Sequence, residues 1–159
     1  VKTIFTGAQY NVNTMNTKVQ NEINKLFVEN DKMVIYLADS KLDIKQGEDW
    51  GVAFAVKNLI PNTMGSKNFD YLVAVNMDSV ALKNSCGGLS VKEAESYIMA
   101  GKSGSIKSLN PGETGYDIIR FSVPEGAPLC FIRYSVTIKD PVNPGSDYVS
   151  RNFDVNIKA

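Results

Sequence analysis

The segment from Ser108 to Asp140 limits the possible folds of this chain more than any other part of the sequence. It reads SLNPGETGYDIIRFSVPEGAPLCFIRYSVTIKD, in which runs of alternating apolar residues are separated by turns rich in proline and glycine. A period of two is typical of β-strands with one buried face, and proline and glycine end such strands. The predicted inward residues are Ile119, Phe121 and Val123, followed by Cys130, Ile132, Tyr134, Val136 and Ile138. This segment therefore predicts neighbouring strands of a β-sandwich.

The same pattern of short strands and turns extends from residue 32 to the C-terminus. Further strands are predicted to begin near Met33, Leu42, Trp50, Phe69, Ser105 and Tyr148. Small residues lie on one face of the strand after Trp50, at Gly51, Ala53 and Ala55, and would allow another element to approach closely. The last strand has one polar face, and its Lys158 favours a sheet edge. We expect residues 32–159 to form an all-β antiparallel sandwich of about seven to eight strands.

Residues 1–31 carry a helical pattern instead. Apolar residues recur there at spacings of three and four, and they form the stripe Ile4, Ala8, Val12, Met15, Val19, Ile23 and Leu26. Two interpretations are open: one long helix from near the start to about residue 30, or a helix over about 14–29 that begins at a cap at Asn13 or Thr14. The stripe either packs on the sandwich or forms an interaction surface of a helix that leads to a membrane or a filament.

A short helix is also predicted within the strand region, over about residues 90–100. Ser90 and Glu93 have the spacing of a capping box, in which each side chain bonds the backbone of the other. Val91, Ala94 and Ile98 share one helical face, and Gly101 suits a left-handed cap. We expect this helix to cover an open end of the sandwich, and a lid over a ligand is the alternative.

The composition argues against several classes of function. Lysine plus arginine equals aspartate plus glutamate at 17 each, so no basic excess points to nucleic acid. The chain has no histidine, which excludes Ser-His-Asp and Cys-His catalysis and removes the commonest zinc ligand. No apolar run reaches the length of about 18 residues that a membrane-spanning helix needs. No catalytic, cofactor-binding or metal-binding residues are predicted.

The two cysteines, Cys86 and Cys130, indicate the compartment in which the protein works. A pair in a β-rich chain fits one disulfide and an oxidising environment. Two separate buried thiols, which behave as small apolar groups, are the alternative. We therefore expect an extracytoplasmic location, at the cell surface or secreted.

Residues 33–159 resemble the immunoglobulin-like sandwich domains of archaeal and bacterial cell-surface proteins. The phrases that carry the resemblance are GEDWGVAFAVKNL, SLNPGETGYDIIRFSVPEGAP and CFIRYSVTIKD. With the amphipathic stripe in front, the chain is similar to an archaeal pilin-like or single-span surface protein. The resemblance implies an anchor upstream of Val1, and partners or self-assembly through the N-terminal helix. A tryptophan between two core cysteines, the antibody pattern, does not occur because Trp50 precedes both.

Two functions from different classes follow as expectations. The first is a non-enzymatic, extracytoplasmic structural or adhesive surface domain, pilin-like or membrane-anchored. The alternative is a soluble module of a larger secreted protein that binds a carbohydrate or a protein partner. Exposed aromatic residues would serve either function, and the candidates outside the clearest inward faces are Tyr10, Tyr97, Tyr116 and Tyr148.

Overall fold

A computed structural model describes residues 16–61 and 65–159, and most of them form two β-sheets packed face to face. The described residues contain nine strands: β1 Met33–Ile35, β2 Lys41–Lys45, β3 Asp49–Lys57, β4 Lys67–Val75, β5 Ile98–Ala100, β6 Ser103–Leu109, β7 Thr114–Ser122, β8 Phe131–Lys139 and β9 Asp147–Lys158. One sheet has the order β1-β3-β7-β5, and the other has the order β2-β9-β8-β4-β6. The predicted all-β sandwich is thus confirmed, with nine strands in place of seven to eight.

One pair of strands departs from the antiparallel sandwich that the sequence predicts. Strand β2 runs parallel to β9, from Lys41 opposite Asp154 to Lys45 opposite Lys158. A 3₁₀ turn at Ala38–Ser40 carries the chain from β1 in one sheet to β2 in the other. As a result β9 lies between β2 and β8, so the predicted edge position is wrong. Lys158 forms an ion pair with Asp43 of β2 at 3.1 Å.

The core lies between the two sheets, and the predicted inward faces are confirmed. The predicted residues of β7 and β8 and those flanking them, from Ile119 to Ile138, are all buried. Aromatic rings join the sheets at the centre, where Phe121 of β7 lies 5.0 Å from Tyr134 of β8 and 5.9 Å from Phe153 of β9, between ring centroids. Each such fully buried side chain stabilises the fold by roughly 1.5–3 kcal/mol through removal from water.

The predicted helix over 90–100 is shorter than expected. Helix α3, Val91–Ser96, begins with the predicted capping box: the Ser90 hydroxyl accepts from the Glu93 amide at 3.1 Å, and the Glu93 carboxylate accepts from the Ser90 amide at 3.2 Å. The chain then extends as β5, because Ile98 pairs with Phe121 of β7 and is buried. A second helix that the sequence did not predict, α2 at Ser79–Ser85, precedes it and is capped by Asp78.

Helix α1, Thr17–Asn24, lies on the outer face of the four-stranded sheet. Its Val19 and Ile23 pack against Ala53 and Ala55 of β3, the small residues that were expected to allow a close approach. The helix begins at Asn16, whose side chain accepts from the Val19 amide at 2.9 Å. It ends at Asn24, so the expected extension to residue 29 is wrong. The predicted caps at Asn13 and Thr14 and the stripe residues Ile4, Ala8, Val12 and Met15 lie outside the described residues.

Candidate functional site

A disulfide between Cys86 and Cys130 ties the helical insertion to the start of β8. The two Cα atoms lie 5.4 Å apart, Cys86 is completely buried, and Cys130 is nearly so. The expected pairing is confirmed, and the alternative of two unrelated buried thiols is wrong. Because Cys86 caps the end of α2 and Cys130 directly precedes Phe131, the bond fixes α2 beside the first residues of β8.

A cleft opens at this tied end of the sandwich, between α2 and the first residues of β8. Its volume is about 370 Å³, within the range of roughly 300–1,000 Å³ of small-molecule sites. The apolar part of its lining comes from Met77, Ala81 and Phe131. Phe131 is 52% exposed, which is unusual for a large aromatic residue on a strand. We call these residues and their polar neighbours the α2–β8 cleft.

The polar part of the α2–β8 cleft contains Asn76, Asp78, Arg133 and Asp154. Arg133 donates two hydrogen bonds to Asp154, from Nε to Oδ1 at 2.8 Å and from Nη2 to Oδ2 at 3.2 Å. The hydrogen bonds and the charge of Asp154 raise the pKa of Arg133. With one guanidinium and two carboxylates, the cleft offers hydrogen-bond groups of both kinds without an excess of positive charge.

Hydrogen bonds hold these polar side chains in place before any ligand arrives. The Asn76 side chain donates to Asn152 Oδ1 at 2.8 Å, and its backbone amide donates to the Arg133 carbonyl at 2.8 Å. The Asp78 carboxylate accepts from the Ala81 amide at 3.3 Å as the cap of α2. Preorganisation of this kind lowers the entropy that a binding site loses when it takes up a ligand.

The tyrosines expected to be exposed are placed differently by the structure. Tyr97 and Tyr148 are buried, and the Tyr148 hydroxyl donates to the Lys57 carbonyl at 2.7 Å. Tyr116 is partly buried and donates to Asn24 of α1 at 2.6 Å, while Tyr10 lies outside the described residues. Among the residues that the structure describes, the exposed aromatic is Phe131 instead. Phe131 lies between the inward residues Cys130 and Ile132, and this alternation could have identified it from the sequence as an outward side chain.

One pair of ionisable groups in the core links the two sheets. Tyr71 of β4 donates to Asp117 of β7 at 2.6 Å. Burial raises the pKa of Tyr71, and the hydrogen bond to Asp117 and its negative charge raise it further. A tyrosine held protonated in this way acts as a hydrogen-bond donor between sheets.

Two features bear on metals and membranes. Within 16–61 and 65–159, no three His, Cys, Asp or Glu side chains are grouped so that they could hold a metal ion. In that same part of the chain, no helix has both the length and the apolar character to cross a bilayer.

Of the stripe residues that the structure describes, Val19 and Ile23 are buried against β3 and Leu26 is 47% exposed. The described part of the stripe is therefore largely covered by the sandwich itself.

Comparisons with known proteins assign no family to this chain. No protein-family model matches it, and no curated protein matches it. Similar solved structures include a Niemann-Pick type C2 protein from Japanese carpenter ant, with a TM-score of 0.46 and 12% identity over 80% of this chain and 90% of that one. At this level of similarity the comparison carries no argument about function.

Two enzymes of known structure are similar over part of their length. The alkylpurine DNA glycosylase AlkC from Pseudomonas fluorescens has a TM-score of 0.40 and 13% identity, over 79% of this chain and 30% of its own. A family 123 glycoside hydrolase from Clostridium perfringens has a TM-score of 0.40 and 11% identity, over 74% of this chain and 22% of its own. The chain thus spans less than a third of either enzyme, and neither similarity is evidence for an activity.

Proposed function

We propose that this protein is a non-enzymatic, extracytoplasmic surface domain that serves a structural or adhesive role. The observation that carries the proposal is the buried disulfide between Cys86 and Cys130 in a β-sandwich. Disulfides form and persist in oxidising compartments and are rare in the cytosol. The absence of histidine from the sequence supports a role in binding or display over acid–base catalysis.

The electrostatics of the described core also support a structural role. Burial raises the pKa of several tyrosines, among them Tyr36, Tyr71 and Tyr134. These side chains stay protonated and donate hydrogen bonds. Tyr36 donates to Glu22 of α1, Tyr71 donates to Asp117 across the sheets, and Tyr134 donates to the Ala94 carbonyl at 2.7 Å. In each case the hydroxyl joins two segments that are distant in the chain.

The redox state of the cysteines in the cell tests this proposal. Cells that make the protein are quenched in acid, and free thiols are then labelled with a maleimide that adds a resolvable mass. We expect no label on Cys86 or Cys130 unless a reductant is added before labelling. A fully labelled pair in unreduced samples would place the protein in a reducing compartment and overturn the proposal.

The pilin-like or membrane-anchored form of this proposal assigns the connecting role to α1 and the residues before it. Val19 and Ile23 fix α1 on the four-stranded sheet, so a force on the N-terminal segment would pass directly to the sandwich. Exposed Leu26 and Val28 would then be available to a neighbouring subunit. Sedimentation velocity of the protein and of its Leu26→Ala/Val28→Asp variant tests this form. Concentration-dependent assembly that the variant loses supports it, and a monomer at all concentrations counts against it.

A soluble binding module of a larger secreted protein is the second candidate. The observation that favours it is the α2–β8 cleft, in which an exposed aromatic ring and fixed polar side chains lie together. Binding sites of small molecules commonly combine apolar lining with a few oriented polar groups. Both candidates share the extracytoplasmic location, and they differ in whether the sandwich or the segment before it makes the main contacts.

A further inference from the structure

We propose that the α2–β8 cleft binds the pyranose ring of a neutral sugar. This inference rests on the proposed function of an extracytoplasmic adhesive or binding domain, and it assigns that function a site and a ligand class. The aromatic ring, the polar groups and the rigidity of the cleft support it.

The exposed ring of Phe131 provides the apolar side of the site. A pyranose ring presents a face of C–H groups, and an aromatic ring with its face accessible packs against such a face. Phe131 is 52% exposed and lines the cleft beside Met77 and Ala81, so the apolar contact is available. The neighbouring Leu129 is also exposed but does not line the cleft, which makes it a matched control.

The polar lining of the cleft suits the hydroxyl groups of a sugar. Adjacent hydroxyls of a sugar both donate and accept, and they pair well with carboxylates, guanidinium groups and amides. The cleft supplies these groups as Asp78, Asp154, Arg133 and Asn76. Because Asp154 already neutralises Arg133 and Asp78 adds a further negative charge, an anion such as phosphate would be repelled. This combination of charges favours a neutral polyol.

The two sides of the cleft are linked to each other by covalent and hydrogen bonds. The disulfide joins the end of α2 to the residue before Phe131, and the Asn76 amide bonds the Arg133 carbonyl across to β8. The backbone segments that carry the aromatic ring and the polar groups therefore keep a fixed relative position. A rigid site matters because a single sugar ring makes few contacts, and the entropy cost of ordering the site would offset most of their binding energy.

The test is a titration of the ¹⁵N-labelled protein by nuclear magnetic resonance. The probes are glucose, galactose, mannose and N-acetylglucosamine, with inorganic phosphate as the anionic comparison. We expect at least one sugar to shift the amide signals of residues 76–81 and 131–133 with a saturable curve, and phosphate to leave them unchanged. Phosphate binding in the cleft, or no shift there with any of the four sugars, would overturn the proposal.

Three variants assign the binding to the ring of Phe131. Phe131→Leu keeps an apolar side chain but removes the aromatic face, and we expect affinity to fall at least about tenfold. Phe131→Trp, which offers a larger face, should retain binding or strengthen it, and Leu129→Ala should match the unchanged protein. Melting temperatures confirm that each variant is folded. Unchanged sugar affinity in folded Phe131→Leu would show that the ring is not the platform and would overturn the assignment.

The results separate this inference from the proposed function. Failure of all sugars to bind, together with a disulfide-bonded protein in the cell, removes the sugar site and leaves the extracytoplasmic surface domain intact. Two free thiols in the cell remove the proposed function, whatever the titration shows.

Discussion

Removal of the disulfide should lower the stability of this protein by an amount that its position in the chain determines. Cys86 and Cys130 are 44 residues apart, and the bond closes that length of chain into a loop. In the chain-entropy model, closure of such a loop in the unfolded state stabilises the fold by about 4 kcal/mol at 25 °C. For a chain of this length that corresponds to about 8–16 °C in melting temperature.

The assay is thermal unfolding, followed by circular dichroism, of the protein and of Cys86→Ala/Cys130→Ala, each with and without reductant. Alanine is the appropriate replacement because both positions are buried and alanine adds no polar group there. We expect reductant to lower the melting temperature of the unchanged protein towards that of the double variant, and to leave the variant unaffected. Equal melting temperatures for the oxidised protein and the double variant would show that the disulfide does not stabilise the fold.

Three further predictions concern the core, the helix and the tyrosines. Asn58→Ala should lower the free energy of unfolding by about 1–3 kcal/mol in urea, because the buried Asn58 side chain donates to the Leu109 carbonyl and accepts from the Ile60 amide. The matched change at an exposed position, Asn143→Ala, should alter it by no more than about 0.5 kcal/mol. Ile23→Ala should lower stability by about 2–5 kcal/mol and exposed Leu26→Ala far less; equal effects would contradict the packing of α1 on β3. Burial raises the folded-state pKa values of Tyr36, Tyr71, Tyr97, Tyr134 and Tyr148 above the ordinary value of 10.0, at which unfolded tyrosines ionise. The contribution of these tyrosines to stability should therefore be fully present below pH 10.0 and fall as the pH rises above it, and a urea midpoint that stays constant up to pH 12 would contradict this.

Local patterns in the sequence were sufficient to predict most strands and their buried faces. Side chains alternate with a period of two on any strand, so Ile119, Phe121 and Tyr134 could be assigned to the core without knowledge of strand order. The small residues of β3 likewise predicted a closely packed neighbour, which is α1. The capping box at Ser90 correctly predicted the start of α3, because the two hydrogen bonds involve residues only three apart.

The features that the sequence did not reveal depend on contacts between distant residues. Ile98–Ala100 continued the pattern of a helix, yet pairing of Ile98 with Phe121 of β7 made it a strand. The parallel pairing of β2 with β9 joins residues more than a hundred positions apart, and no local signal specifies such a pair. The buried Asn58 was overlooked for the same reason, since its partner Leu109 lies on β6.

The candidate site was only partly accessible to prediction. The two cysteines were identified and their pairing was expected, but the cleft that they help to form requires α2, which the sequence did not predict. Arg133 and Asp154 become partners only because β8 and β9 pair with these two residues opposite each other. Outward Phe131 was the available signal, but the tyrosines were the predicted exposed aromatics because they fall outside the clearest inward faces of the strands.

The location of the protein is the most direct test of the account, since the structural, adhesive and sugar-binding proposals all require exposure outside the cytoplasm. Intact cells are treated with a membrane-impermeant, amine-reactive biotin, which can reach exposed lysines such as Lys41 and Lys45. A cytosolic protein of the same cells serves as the control for lysis. We predict that the protein is biotinylated on intact cells, or recovered from the medium, while the control is not. Biotinylation that occurs only after lysis would contradict the account.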